Sequence, residues 1–170
     1  ISFLVEGAVM DWSGVLLTEV KNMDIALAGT GYAIFSVAML IMRLLGDKTV
    51  QFLGEQKAVI GGSIVTAAGF ALVVVLDNLY LNAFAFILIG LGCANIVPVF
   101  YSLLKYQKGM PISAAVTSVT SLGYTGVILG PALLGFVAHG INISAVFELV
   151  ALLLVIEAGI AKYVFCKLKM

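Results

Sequence analysis

Six stretches of this sequence run for about twenty residues each with few charges. They cover roughly residues 1–18, 25–45, 58–76, 79–104, 112–138 and 143–166. A helix of about twenty apolar residues matches the hydrocarbon thickness of a bilayer. Spanning strands are only about ten residues long and alternate in polarity, and these runs do neither. The pattern predicts an all-α membrane protein with six transmembrane helices in a single bundle over residues 1–170. Composition agrees. Hydrophobic residues make up 62% of the chain and charged residues 11%, with a mean hydropathy of +1.18. Soluble domains carry about 25% charged residues, so a chain this poor in charge has lipid as its main solvent.

The breaks between runs carry turn signals. They are "KNMD" at 21–24, "DN" at 77–78, "KGMP" at 108–111, "HGIN" at 139–142 and the longer "GDKTVQFLGEQK" at 46–57, which reads as a loop. With six spans, the second and fourth loops share a side with both termini. That side holds Arg43, Lys48, Lys57, Lys105, Lys108, Lys162, Lys167 and Lys169, whereas the other holds Lys21 alone. The positive-inside rule therefore makes 46–57, 105–111 and the C-terminus cytoplasmic.

Several function classes fall away. A formal net charge of zero argues against nucleic acid as a partner. Nothing reads as a cofactor or metal site. The two cysteines, Cys93 and Cys166, sit far apart in the pattern and read as small apolar fillers. An intramembrane hydrolase needs a nucleophile and a base at membrane depth. The single histidine, His139, falls in an outer loop, so the chain does not read as an enzyme. The half-helices and charge rings of channels are also missing. The sequence begins at Ile1, without an initiating Met and already apolar. It is expected to lack its natural beginning, and it shows no signal peptide.

Polar residues inside the runs are the informative ones, because each is expensive in lipid unless paired or wet. The first run carries Glu6, Asp11 and Trp12. The two acids are five residues apart, about 140° around a helix, so they occupy different faces. Either suits a proton or substrate path, and Asp11 is the stronger candidate. In the fifth run Thr117, Thr120, Ser121 and Tyr124 fall on one face, placed to bind another helix or to line a wet path. Tyr32, Ser36 and Arg43 make a thinner stripe in the second run. In the fourth, Asn95 precedes Pro98, which leaves the carbonyl of Ala94 without its helical donor. Gly126 and Gly130 form a G-x-x-x-G beside Pro131, a pattern for close helix packing and a kink. Glu157 in the sixth run has no evident role beyond pairing with Lys162 or facing a partner outside the chain.

The stretch "RLLGDKTVQFLGEQK", through Arg43, Gly46, Asp47, Lys48, Gly54 and Lys57, resembles the signature loop of the major facilitator superfamily. That loop joins the second and third helices of each six-helix half on the cytoplasmic side. "GVILGP" in the fifth run is similar in part to the glycine-proline motif of family antiporters. "EGAVMDWSG" and "GLGCANIVPVFYS" resemble bacterial inner-membrane members. The resemblance spans the whole chain and implies the C-terminal half of a secondary transporter. It implies alternating access and proton coupling, with the N-terminal half and an unspecified small-molecule substrate as partners. It also implies that the third and sixth helices mostly face lipid, while the others line the cavity or the seam between halves.

In this frame Arg43 and Asp47, four residues apart on a helix, are expected to pair and to lock the cytoplasmic seam. The chain alone is expected to self-associate, because its polar faces lack their partner half. The alternative is a membrane-embedded binding or interaction protein that transports nothing.

Overall fold

The computed structural model describes the chain from Ile1 to Leu168; Lys169 lies outside the described residues. Each predicted run is helical, and no strand occurs among the described residues. The first run forms α1 (Ser2–Val15), continued by a π-helical segment, Leu16–Val20. A 3-10 turn, Ile25–Leu27, leads into α2 (Thr30–Leu44). The third run is α4 (Glu55–Val75). The fourth is divided into α5 (Leu79–Cys93) and α6 (Ile96–Leu103), and α7 (Ile112–Gly140) and α8 (Ile143–Leu168) complete the chain. Among the described residues, five segments are long and apolar enough to cross a membrane: Ile25–Leu44, Glu55–Val75, Leu79–Tyr106, Ile112–Gly140 and Ile143–Lys167. The first helical run stands apart because Glu6, Asp11 and Glu19 place three acids within it.

The 46–57 stretch is not the open loop expected. Gly46–Leu53 form a short helix, α3, with Asp47 in its first turn. An acid there is favoured by the helix dipole. Gly54 then separates α3 from α4 with φ +83°, a left-handed conformation that costs glycine little. Gly46 thus opens, and Gly54 ends, a helix where a loop was expected. The break in the fourth run falls at Ala94–Asn95, where Pro98 has no N–H to offer the Ala94 carbonyl.

The core centres on α4, α5 and α8, with Val5, Val9 and Leu16 of the first run and Phe35 of α2 buried against it. Phe70 of α4 meets Phe147 of α8 with ring centroids 5.6 Å apart, and both are fully buried. Aromatic pairs at this separation add to simple area burial. Small residues let α4 and α5 approach closely: a Cβ at Gly62 or at Gly92 would run into the other glycine's carbonyl oxygen. The third and sixth helices were expected mostly to face lipid. Each gives one face to the core and leaves the larger share of its span unburied; "GGSIVTAAG" of α4 packs backbone-close on "GLGC" of α5. α2 and α7 leave the largest share of their length uncovered. α7 lies mainly against α1.

Candidate functional site

The carboxylate of Glu6, on α1, and the guanidinium of Arg43, at the end of α2, meet across the helix pair. Arg43 Nη2 donates to Glu6 Oε1 at 2.9 Å. Both side chains stay partly open, at 45% for Arg43 and 34% for Glu6. They border a cleft of about 380 Å³ between α1, α2 and α7, which also takes in Tyr32 and Ser36. Arg43 is long enough to border a second cleft of about 300 Å³, where Gly46, Asp47, Glu55 and Asn95 converge. One guanidinium therefore stands between an acid in the first helix and the charged α3 connection.

This pairing differs from the expected one. Arg43 bonds Glu6, not Asp47, and Asp47 is exposed with no ion pair among the described residues. The turn at Leu45 ends α2, and Asp47 begins a new helix. The i, i+4 geometry that requires one continuous helix is therefore lost. Lys48 and Lys57 are likewise exposed. Glu55, the first residue of α4, accepts from Ser102 Oγ at 3.0 Å and from Lys105 Nζ at 3.4 Å. These contacts tie the start of α4 to the end of the fourth run. Ser102 and Lys105 carried no site signal in the sequence, because the contact joins residues about fifty positions apart.

Gly46 and Asn95, assigned from sequence to different roles, are neighbours. A Cβ at Gly46 would overlap the Asn95 side chain. Asn95 is buried at the α5–α6 break. The start of α3 thus rests directly on the interruption in the fourth run.

The fifth-run stripe divides. Thr120 Oγ1 shares a hydrogen bond of 2.7 Å with the Tyr101 hydroxyl on α6. Thr117 is exposed and donates to Ser113 O of its own helix, and Ser121 is exposed. Tyr124 is exposed too, with its ring 5.8 Å from Phe3. Gly126 and Gly130 do face a neighbouring helix: both lie over Leu4 of α1. Pro131 sits within α7 without ending it. Asp11 is exposed and unpaired among the described residues, so the structure brings Glu6 into the site and leaves Asp11 out of it. Trp12 is half-buried, and its indole nitrogen has no partner among the described residues.

At the opposite end of the bundle, Lys21 Nζ donates to Val74 O at 2.6 Å and to Asp77 Oδ1 at 2.7 Å. The Lys21 side chain is only 3% exposed. It ties the exit of the first helical run to the α4–α5 turn.

No family model matches the chain, and no solved structure matches it. Curated relatives do. An uncharacterized MFS-type transporter of Yersinia pestis is 40% identical over 164 residues, covering 96% of this chain. The chain is similar to this MFS-type transporter over nearly its whole length. An uncharacterized transporter of Sinorhizobium fredii is 31% identical over 94% of the chain, and membrane protein MosC of Rhizobium meliloti is 25% identical over the same share. The chain spans less than half the length of these relatives, at 43%, 42% and 38%. α3, opened by Gly46 and followed by Gly54, occupies the connection between the second and third helical runs, the stretch that resembles the signature loop.

Proposed function

We propose that this chain is the C-terminal six-helix half of a bacterial inner-membrane secondary transporter. It moves a small solute by alternating access, and movement is coupled to protons. The α3 connection, the 105–111 turn and the C-terminus face the cytoplasm. The other half of the transporter supplies the facing wall of the cleft.

The observation that carries this reading is the Glu6–Arg43 pair at the edge of a cleft in a chain similar to an MFS-type transporter. Rocking of one bundle against another needs contacts that are made in one state and released in the other. Protonation of Glu6 removes its charge and frees Arg43. The freed guanidinium then shifts its balance toward the α3 cleft, where Asp47 and Glu55 stand. Proton arrival at the first helix is thereby linked to rearrangement of the cytoplasmic connection. Tyr32 and Ser36 offer hydroxyls to a solute in the same cleft.

The test begins with a ligand-stabilisation screen on the full-length protein. Ligands that raise the melting temperature are then offered to proteoliposomes under an imposed pH gradient. Accumulation that collapses with the gradient supports the reading. Accumulation unaffected by an uncoupler removes proton coupling, and failure to accumulate any stabilising ligand removes transport.

A further inference from the structure

The cleft between α1, α2 and α7 has a lining that narrows what it takes up. Among the described residues its charged groups are the Glu6–Arg43 pair. Its uncharged polar groups are two hydroxyls, those of Tyr32 and Ser36. Phe35, Met39, Leu40 and Val127 make much of the apolar wall. Glu157, the buried acid of α8, is engaged by Ser2 Oγ at 2.6 Å and not by Lys162, so it adds no charge here.

Arg43 gives one N–H, on Nη2, to Glu6 Oε1. A guanidinium carries five N–H donors in a planar fork, and this side chain is 45% exposed. Donors therefore remain for a second acceptor. With Glu6 ionised the pair is neutral. With Glu6 protonated, as the transporter reading requires of the loaded state, Arg43 leaves the cleft one positive charge in excess. An uncompensated charge is costly among apolar walls. One monoanion restores neutrality, and a carboxylate fits the fork with two parallel bonds. A dianion leaves a charge unmatched. A cation at Glu6 meets the guanidinium 2.9 Å away. A zwitterion needs an ionised Glu6 for its ammonium, which the loaded state lacks. A polyol needs more partners than two hydroxyls. Ser36 and Arg43 are two turns apart on α2, about 10 Å along its axis, which leaves length for a body beyond the carboxylate.

We infer that this cleft takes a small monocarboxylate with an apolar body. Its carboxylate binds Arg43 in place of Glu6, and its body lies against Phe35, Met39 and Val127. Asp47 and Glu55 are the acceptors to which Arg43 turns when no such ligand is present. The inference names a substrate class for the transporter reading and rests on that reading for the protonated Glu6, but it is measured by binding, apart from transport.

Equilibrium dialysis of labelled 3-phenylpropanoate against the full-length protein in detergent tests it. Saturable binding is expected. Glu6→Gln stands for the protonated acid and should tighten binding by about tenfold or more. Arg43→Gln should weaken it by about tenfold or more, in the wild-type and the Glu6→Gln background alike. Ser36→Trp fills the cleft from α2 and should abolish binding with both charges in place. Neither 3-phenylpropanamide nor 3-phenylpropylamine should compete. Absence of saturable binding in wild type and Glu6→Gln overturns the inference. So does equal or weaker affinity in Glu6→Gln, equal affinity in Arg43→Gln or Ser36→Trp, or competition by the amide or the amine. Binding of the carboxylate with no accumulation of any stabilising ligand supports the site and removes transport. Gradient-driven accumulation of another ligand, with no binding of 3-phenylpropanoate, removes the carboxylate site and leaves transport standing.

Discussion

Oδ1 of Asn95 lies 2.5 Å from where a Cβ on residue 46 would stand, so Gly46 is the residue that lets α3 settle on the α5–α6 break. Gly46→Ala forces either the amide or the helix start to move. Overpacking of this kind costs roughly 1–3 kcal/mol. Asn95→Ala in the same chain removes the overlapping group and should return part of that loss. Thermal melts of the two single variants and the double variant in detergent give the coupling. Additive effects would show that the two residues do not share this contact.

The Glu6–Arg43 pair should matter to turnover more than to folding. Both side chains are partly open, and exposed pairs contribute only about 0–1 kcal/mol to stability. Glu6→Gln and Arg43→Gln in the full-length protein should therefore melt near wild type yet lose gradient-driven accumulation. Asp11→Asn, at an exposed and unpaired position, should retain more accumulation than Glu6→Gln. The opposite ranking would move the proton path to the Asp11 face of α1.

Lys21 and Asp77 are an unequal pair, with side chains 3% and 87% exposed. Lys21→Met removes a charged donor from the Val74 carbonyl as well as the ion pair, and hydrogen bonds to charged groups contribute roughly 1.5–3 kcal/mol. Asp77→Asn removes only the exposed partner and should cost under about 1 kcal/mol. Melting of both variants checks the ratio. Equal losses would mean that the ion pair, and not the carbonyl contact, holds the turn.

Cys166 is exposed and Cys93 is buried. In oriented vesicles a membrane-impermeant maleimide should label Cys166 from the cytoplasmic face alone, while Cys93 reacts slowly from either side. Labelling of Cys166 from the outer face would reverse the orientation or change the number of spans.

What could be read from the sequence was local. Runs of twenty apolar residues announced the helices, and Pro98 announced the break beside Asn95. What escaped was of two kinds. Residues 46–57 read as a loop because charged residues and two glycines, at 46 and 54, interrupt the apolar pattern. In fact one permits a close contact and the other a left-handed turn, and a helix fits between them. The second kind is pairing at a distance. Arg43 was matched to Asp47, its neighbour along the chain, because periodicity shows only such neighbours. Its partner, Glu6, is thirty-seven residues away, and Ser2 and Glu157 are separated by 155. Helix packing chooses these pairs, and no single run contains that information.

The π-helical segment at Leu16–Val20 sets the phase of the first helical run. A π turn takes in about one residue more than an α turn over the same rise. That extra residue separates two fixed points: Glu6, committed to Arg43, and Lys21, committed to Asp77 and Val74. Delete one residue there and everything upstream rotates by about 100° relative to Lys21. With Lys21 seated, Glu6 would turn away from α2, and with Glu6 seated, Lys21 would leave its pocket. The irregular turn acts as a spacer in angle, keeping the two ends of one helix in register with different neighbours.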